Sequence, residues 1–141
     1  MRKFPIIKMR KLGAERRVLT FLVRSCGFIK LRAISAIVDT GSPFTFISQS
    51  DLRGLRIPKN LPMVRQINLL IPLKIYSVGE CEIWLKDENS KYVPFKTNLH
   101  IAVPAIQKIM IPGGMPSIVG TDFLDRYNMA VGKKYLLELN E

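Results

Sequence analysis

The run Ile37-Val38-Asp39-Thr40-Gly41-Ser42-Pro43-Phe44-Thr45-Phe46-Ile47-Ser48 sets a lone carboxylate between two apolar segments. Ala33, Ile34, Ala36, Ile37 and Val38 lead into Asp39. A hydroxyl residue, a glycine and a second hydroxyl residue follow before the chain turns apolar again. An unpaired carboxylate inside a buried strand costs several kcal/mol. The pattern therefore reads as a strand that ends on a tight loop and presents Asp39 there, with Gly41 permitting the turn. Asp-Thr-Gly by itself is also the signature of an ordinary strand-capping turn, and the two readings stay side by side at this point.

With 141 residues, nearly half of them apolar, the chain is long enough for one domain with a genuine core. No apolar run reaches the ~20 residues needed to cross a bilayer, and the basic start has too short an apolar segment for a signal peptide. The expected location is cytoplasmic. Cys26 and Cys81 stand far apart, and His100 is the only histidine, so a four-ligand zinc site is not available. The cysteines read as free core thiols, with a disulfide as the alternative in a hyperthermophile. The formal charge is +11, and it is uneven: ten Lys and Arg precede Asp39, with Glu15 the one acid among them. A solvated basic face is the plainer reading. Contact with nucleic acid or an acidic partner is the lesser one, because no aromatic residues interleave with the cations as a stacking surface requires.

Residues 1–16 read as a basic N-terminal arm with a short strand at Pro5 to Met9, and 17–141 as a single domain. Arg17 to Val23 and Phe28 to Ala36 are expected to form a hairpin across Ser25-Cys26-Gly27. Phe44 to Ile47, Met63 to Ile75, Ser77 to Leu85, Lys91 to Phe95, Leu99 to Val103 and Ser117 to Val119 read as strands, with a break at Val78-Gly79-Glu80. Met129 to Val131 and Tyr135 to Leu139 read as a closing hairpin. Short helices are expected after Ser48 and from Thr121 to Tyr127. Many short strands with little helix indicate an all-β barrel or sandwich.

A second motif, Ile118-Val119-Gly120-Thr121-Asp122-Phe123-Leu124, follows Ile37 to Ser42 at a distance in the chain. Together the two resemble the paired motifs of single-lobe, retropepsin-like aspartic proteases, of the cellular prokaryotic or archaeal kind. The resemblance spans about residues 17 to 139. It implies a small closed β-barrel in which Ile118-Val119 packs beside the strand leading to Asp39 and Gly120 permits a close backbone approach. It also implies a homodimer acting on peptides or unfolded protein, because this chemistry takes two carboxylates sharing one proton around a water and the chain has one Asp-Thr-Gly. No metal or organic cofactor is required.

By that resemblance the catalytic group is Asp39, Thr40 and Gly41. Thr40 reaches the partner's loop, and the Gly41 amide approaches the carboxylate. Ser42 and Gly120 support the site, with the Ser42 hydroxyl donating to the outer oxygen of Asp39. Asp122 is structural, favoured near a helix N-terminus. The flap candidate is Ile67 to Ile71, apolar where viral flaps are glycine-rich, and an ordinary core strand is the competing reading. Leu69, Leu70, Ile71 and Ile118 are the expected substrate-binding residues. Thr121 stands where viral enzymes often carry a bracing Arg, so another group must hold the loop. The rival functions are an inactive dimeric barrel that binds peptides, and nucleic-acid binding through the arm.

Overall fold

The alternation Leu19, Phe21, Val23 inward and Thr20, Leu22, Arg24 outward makes the first long strand half-buried, the pattern a barrel wall needs. A computed structural model of the chain describes residues 1–69, 71–106 and 114–139. Its strands are β1 Arg2–Pro5, β2 Ile7–Lys11, β3 Ala14–Cys26, β4 Ile29–Val38, β5 Phe46–Ser48, β6 Met63–Asn68, β7 Pro72–Lys86, β8 Tyr92–Pro104, β9 Ser117–Val119, β10 Met129–Val131 and β11 Tyr135–Glu138. A 3₁₀ turn spans Gln49–Leu52, and one helix, α1, spans Thr121–Arg126.

The pairings β3–β4, β4–β9, β9–β5, β5–β8, β8–β7 and β7–β3 form a ring, so the main sheet closes on itself. β2 and β6 stand outside the ring as the outer strands of two hairpins, β2–β3 and β6–β7. β9 lies between the strand that leads to Asp39 and the strand that leaves it, parallel to β4 and antiparallel to β5. A second, three-stranded sheet has the order β1-β11-β10.

Two hydrophobic clusters fill the molecule. The larger includes Leu19, Phe21, Val23, Ile83, Phe95, Ile101 and Phe123. Its aromatic rings meet edge to face, with Phe95 5.4 Å from Phe4 and 5.7 Å from Phe123. The smaller cluster, built on Val18, Ile37, Phe46, Ile75 and Ile118, lies where the strands converge on the Asp39 loop. Burying a single Phe or Ile side chain contributes roughly 1.5–3 kcal/mol.

Several local expectations change. Met63 to Ile75 is not one strand: a turn after Asn68 divides it into β6 and the start of β7. The break at Val78-Gly79-Glu80 is a bulge inside a continuous β7, with the register shifting between Ser77 and Gly79 and Gly79 at φ +100°. Lys91 to Phe95 and Leu99 to Val103 are one strand, β8, because β7 pairs with it throughout. The basic N-terminal segment is built into the fold: Phe4 is wholly buried, and β1 pairs with β11 of the same chain.

Cys26 and Cys81 are not free thiols. They form a disulfide with their Cα atoms 5.0 Å apart. β3 and β7 pair in the ring, and that pairing brings the two cysteines together from a sequence separation of 55. On the chain-entropy account a loop of that length is worth about 4 kcal/mol. Among the described residues no helix is long and apolar enough to cross a membrane.

Candidate active site

β4 and β9 run side by side and finish together, with Ile37 opposite Ile118 and Val38 opposite Val119. The Asp39 amide continues the ladder by donating to the Val119 carbonyl at 3.0 Å. The chain then turns sharply. Ser42 N donates to Asp39 O at 3.2 Å, and Gly41 N donates to Asp39 Oδ1 at 2.8 Å. Asp39 is half-buried, and Thr40 and Gly41 are exposed. A strand held by parallel pairing on one side and by this turn at its end fixes where the carboxylate stands.

Gly120 is the crossing point. A Cβ there would lie 2.4 Å from the Phe44 carbonyl oxygen and 2.6 Å from that of Ser42. Both atoms belong to the backbone of the Asp39 loop, so any side chain would push the loop away. Thr121 then ties the loop down. Its amide and its hydroxyl both donate to the Ser42 carbonyl, at 2.8 Å and 3.2 Å. Thr121 thus supplies from its own position a brace for the loop.

The second acid is spoken for. Asp122 Oδ1 accepts from the Thr45 hydroxyl at 2.6 Å and from the Phe123 amide at 2.8 Å. Thr45 is buried, and its oxygen accepts in turn from the Gly120 amide at 3.0 Å. Behind it, His100 Nδ1 lies 3.0 Å from the Thr45 carbonyl, which only accepts, so Nδ1 carries the proton. β9 is anchored from its other end: the Ser117 hydroxyl donates to Asp51 Oδ2 at 2.6 Å and accepts from Ser48 N at 3.0 Å.

The hydrogen bond from Ser42 to Asp39 that the resemblance implies is not formed. Ser42 is fully buried, and its hydroxyl donates to Phe44 O at 2.9 Å and accepts from Phe44 N at 3.3 Å. A serine hydroxyl has one proton to give, and here the loop backbone takes it.

A cleft of about 700 Å³ opens above Asp39. Ile37, Val38, Asp39, Thr40 and Ile118 form its floor, and Leu69 reaches it from the β6–β7 hairpin. Ile71 is buried in the smaller core cluster and lines a different hollow, with Ser50 and Met115. Leu70 lies outside the described residues. The remaining wall was not legible from the motifs: Lys8, Leu12, Glu15, Arg16 and Arg17 of the β2–β3 hairpin, with Val131. Only the register of that hairpin, set by the apolar β3 pattern, could have pointed to it. Among the described residues no group of three or more His, Cys, Asp or Glu is placed to hold a metal ion.

No sequence-family profile matches the chain, and no curated protein matches its sequence. Solved structures do. A retropepsin-like aspartic protease from Rickettsia conorii superposes with a TM-score of 0.52 at 16% identity, over 93% of this chain and 86% of that one. The EIAV protease, solved with the inhibitor HBY-793, gives 0.49 at 13% identity, over 88% of this chain and 99% of that one. The retroviral protease-like domain of Ddi1 from Leishmania major gives 0.46 at 12%, over 89% and 94%. With the ring closed by β3 and β7 and the Gly120 crossing beneath the Asp39 loop, the chain has the fold of the retropepsin-like aspartic proteases.

Proposed function

We propose that the protein is a homodimeric aspartic endopeptidase in which two Asp39 carboxylates, one from each subunit, activate a water for attack on a peptide bond. The observation that carries this reading is the contrast in how the two motif acids are used. Asp39 lines an open cleft with one oxygen held by the Gly41 amide, whereas Asp122 does not line that cleft and its Oδ1 accepts from both Thr45 and Phe123. A proton-sharing pair inside one chain is therefore not the natural assembly, and a second copy supplies the missing acid across a two-fold axis.

In the dimer one carboxylate, ionised, takes a proton from the water, and the other, protonated, polarises the scissile carbonyl. Thr40 is exposed beside Asp39 and makes no side-chain hydrogen bond to another described residue, which leaves its hydroxyl available to the partner's loop. The β6–β7 hairpin serves as the flap. Substrate lies extended between it and the floor, with Ile118 and Leu69 against apolar side chains. Activity and folding both depend on subunit concentration.

The test is Asp39→Asn, which keeps the size and the Gly41 contact but removes the ionisable group. Cleavage of a denatured protein should fall by roughly 10²–10⁴-fold or more, while sedimentation still reports a dimer. Undiminished cleavage by this variant would falsify the proposal, and so would a strictly monomeric wild-type enzyme at full activity.

A further inference from the structure

The cleft above Asp39 carries a strong charge imbalance. The β2–β3 hairpin brings Lys8, Arg16 and Arg17 to its wall against a single acid, Glu15. The register sets Lys8 directly opposite Arg17 as a cross-strand pair. Like charges facing each other across a ladder repel and destabilise it, and an anion between them removes that cost. Among the described residues none supplies one: the ion pair found there joins Arg126 of α1 to Glu80 of β7, 3.7 Å apart.

The cations are also prepared for a carboxylate. Arg16 Nε donates to the Lys11 carbonyl and Arg17 Nη1 to the Gly132 carbonyl, each at 3.1 Å. A guanidinium has five N–H groups in a fixed fork, so each arginine is oriented by one bond and keeps donors for a ligand. Lys8 is exposed and makes no side-chain hydrogen bond or ion pair with another described residue. Leu12, at the hairpin tip, packs against the smaller core cluster and pins the wall to the rim of the cleft.

We infer that this wall is a specificity subsite selecting peptides with an acidic side chain close to the scissile bond. The inference rests on the protease reading and names its substrate class. The Asp or Glu carboxylate lies between Lys8 and Arg17, which share one face of the hairpin, while Ile37, Ile118 and Leu69 take an adjoining apolar side chain. A peptide fits better than a nucleic acid. Among the described residues the cleft lining holds no aromatic side chain for base stacking, and Asp39 and Glu15 repel successive phosphates.

The experiment uses the full-length protein and matched peptides that carry Glu or Gln at single positions on either side of the cleaved bond. At one position or more kcat/KM should favour Glu by about tenfold or more, the scale of a hydrogen bond to a charged group. The advantage should collapse toward unity in about 1 M salt, where the screening length falls to about 3 Å. Lys8→Glu should erase or invert the preference, and because it sets an acid opposite Arg17 it should not lower the melting temperature. Equal kcat/KM for Glu and Gln at every position overturns the inference. So does dissociation of the dimer in Lys8→Glu, which would assign the charges to the subunit interface. If wild-type protein cleaves neither peptide, the protease reading fails and the subsite is judged by fluorescence anisotropy with the same labelled peptides. Glu-selective binding lost in Lys8→Glu then supports the subsite. Displacement of the Glu peptide by a short single-stranded oligonucleotide overturns it.

Discussion

Two neighbouring parallel strands, β4 and β9, end side by side and each hands the chain on to an aspartate, yet the two acids live in opposite conditions. Asp39 follows β4 directly, accepts one bond from the Gly41 amide, and opens on a cleft. Asp122 comes three residues after β9, inside the first turn of α1, where one oxygen accepts from both Thr45 and Phe123. Two similar motifs thus set their carboxylates in different surroundings. One oxygen of Asp122 takes two donors inside the fold, whereas Asp39 takes one and lines a cleft. Asp122 also holds Thr45, and Thr45 receives the Gly120 amide, so Asp122 helps to set the loop that bears Asp39.

The sharpest way to break this arrangement is Gly120→Ala. The added methyl would meet backbone oxygens of Ser42 and Phe44, which cannot rotate aside as a side chain would. Overpacking of this kind costs about 1–3 kcal/mol and occasionally more, and backbone opposition puts this site at the upper end. Because the loop itself must move, cleavage should be lost together with stability, as seen by denaturant unfolding and peptide turnover on the same preparation. Asp122→Ala comes next. It strands the Thr45 hydroxyl and the Phe123 amide, worth about 1–3 kcal/mol for buried groups left without a partner. Folded protein should keep most of its turnover, in contrast to Asp39→Asn. Asp122→Asn retains an acceptor oxygen and should recover most of the lost stability. A turnover loss in Asp122→Asn as deep as that of Asp39→Asn would erase the distinction between the two acids.

The many short strands made an all-β barrel or sandwich legible, and Asp39, a charge at the end of an apolar run, marked a turn; closure and the close approach at Gly120 came only with the resemblance carried by the two motifs. The β6–β7 hairpin was half-legible. The run through Ile67 to Ile71 has no Asn-Gly or Gly-Gly signal, and with Leu73 and Ile75 beyond it the apolar pattern looks continuous, so the turn before Pro72 is set by pairing with β7 rather than by turn residues. The cysteine pair was not legible, since it depends on the β3–β7 closure and on no local spacing. Nor was the cationic wall. Lys8 and Arg17 look like solvated charges until the hairpin register sets them opposite each other on the wall of the Asp39 cleft.

The smallest effect belongs to Ser42, and it distinguishes two accounts of the loop. If Ser42 served the carboxylate, Ser42→Ala would shift the pH dependence of cleavage, because a donor to the ionised oxygen favours the charged form. The hydroxyl instead bridges the amide and carbonyl of Phe44, and Phe44 packs its ring against His100 at 4.9 Å. Its loss should therefore lower stability by about 1 kcal/mol, the net worth of a typical hydrogen bond, and leave the pH–rate profile where it was. Measured side by side, unfolding free energy and the pH profile separate the two. A displaced profile at unchanged stability would mean that the hydroxyl turns to Asp39 once two subunits meet. The boundary between reactive and structural groups would then run through the loop itself rather than between β4 and β9.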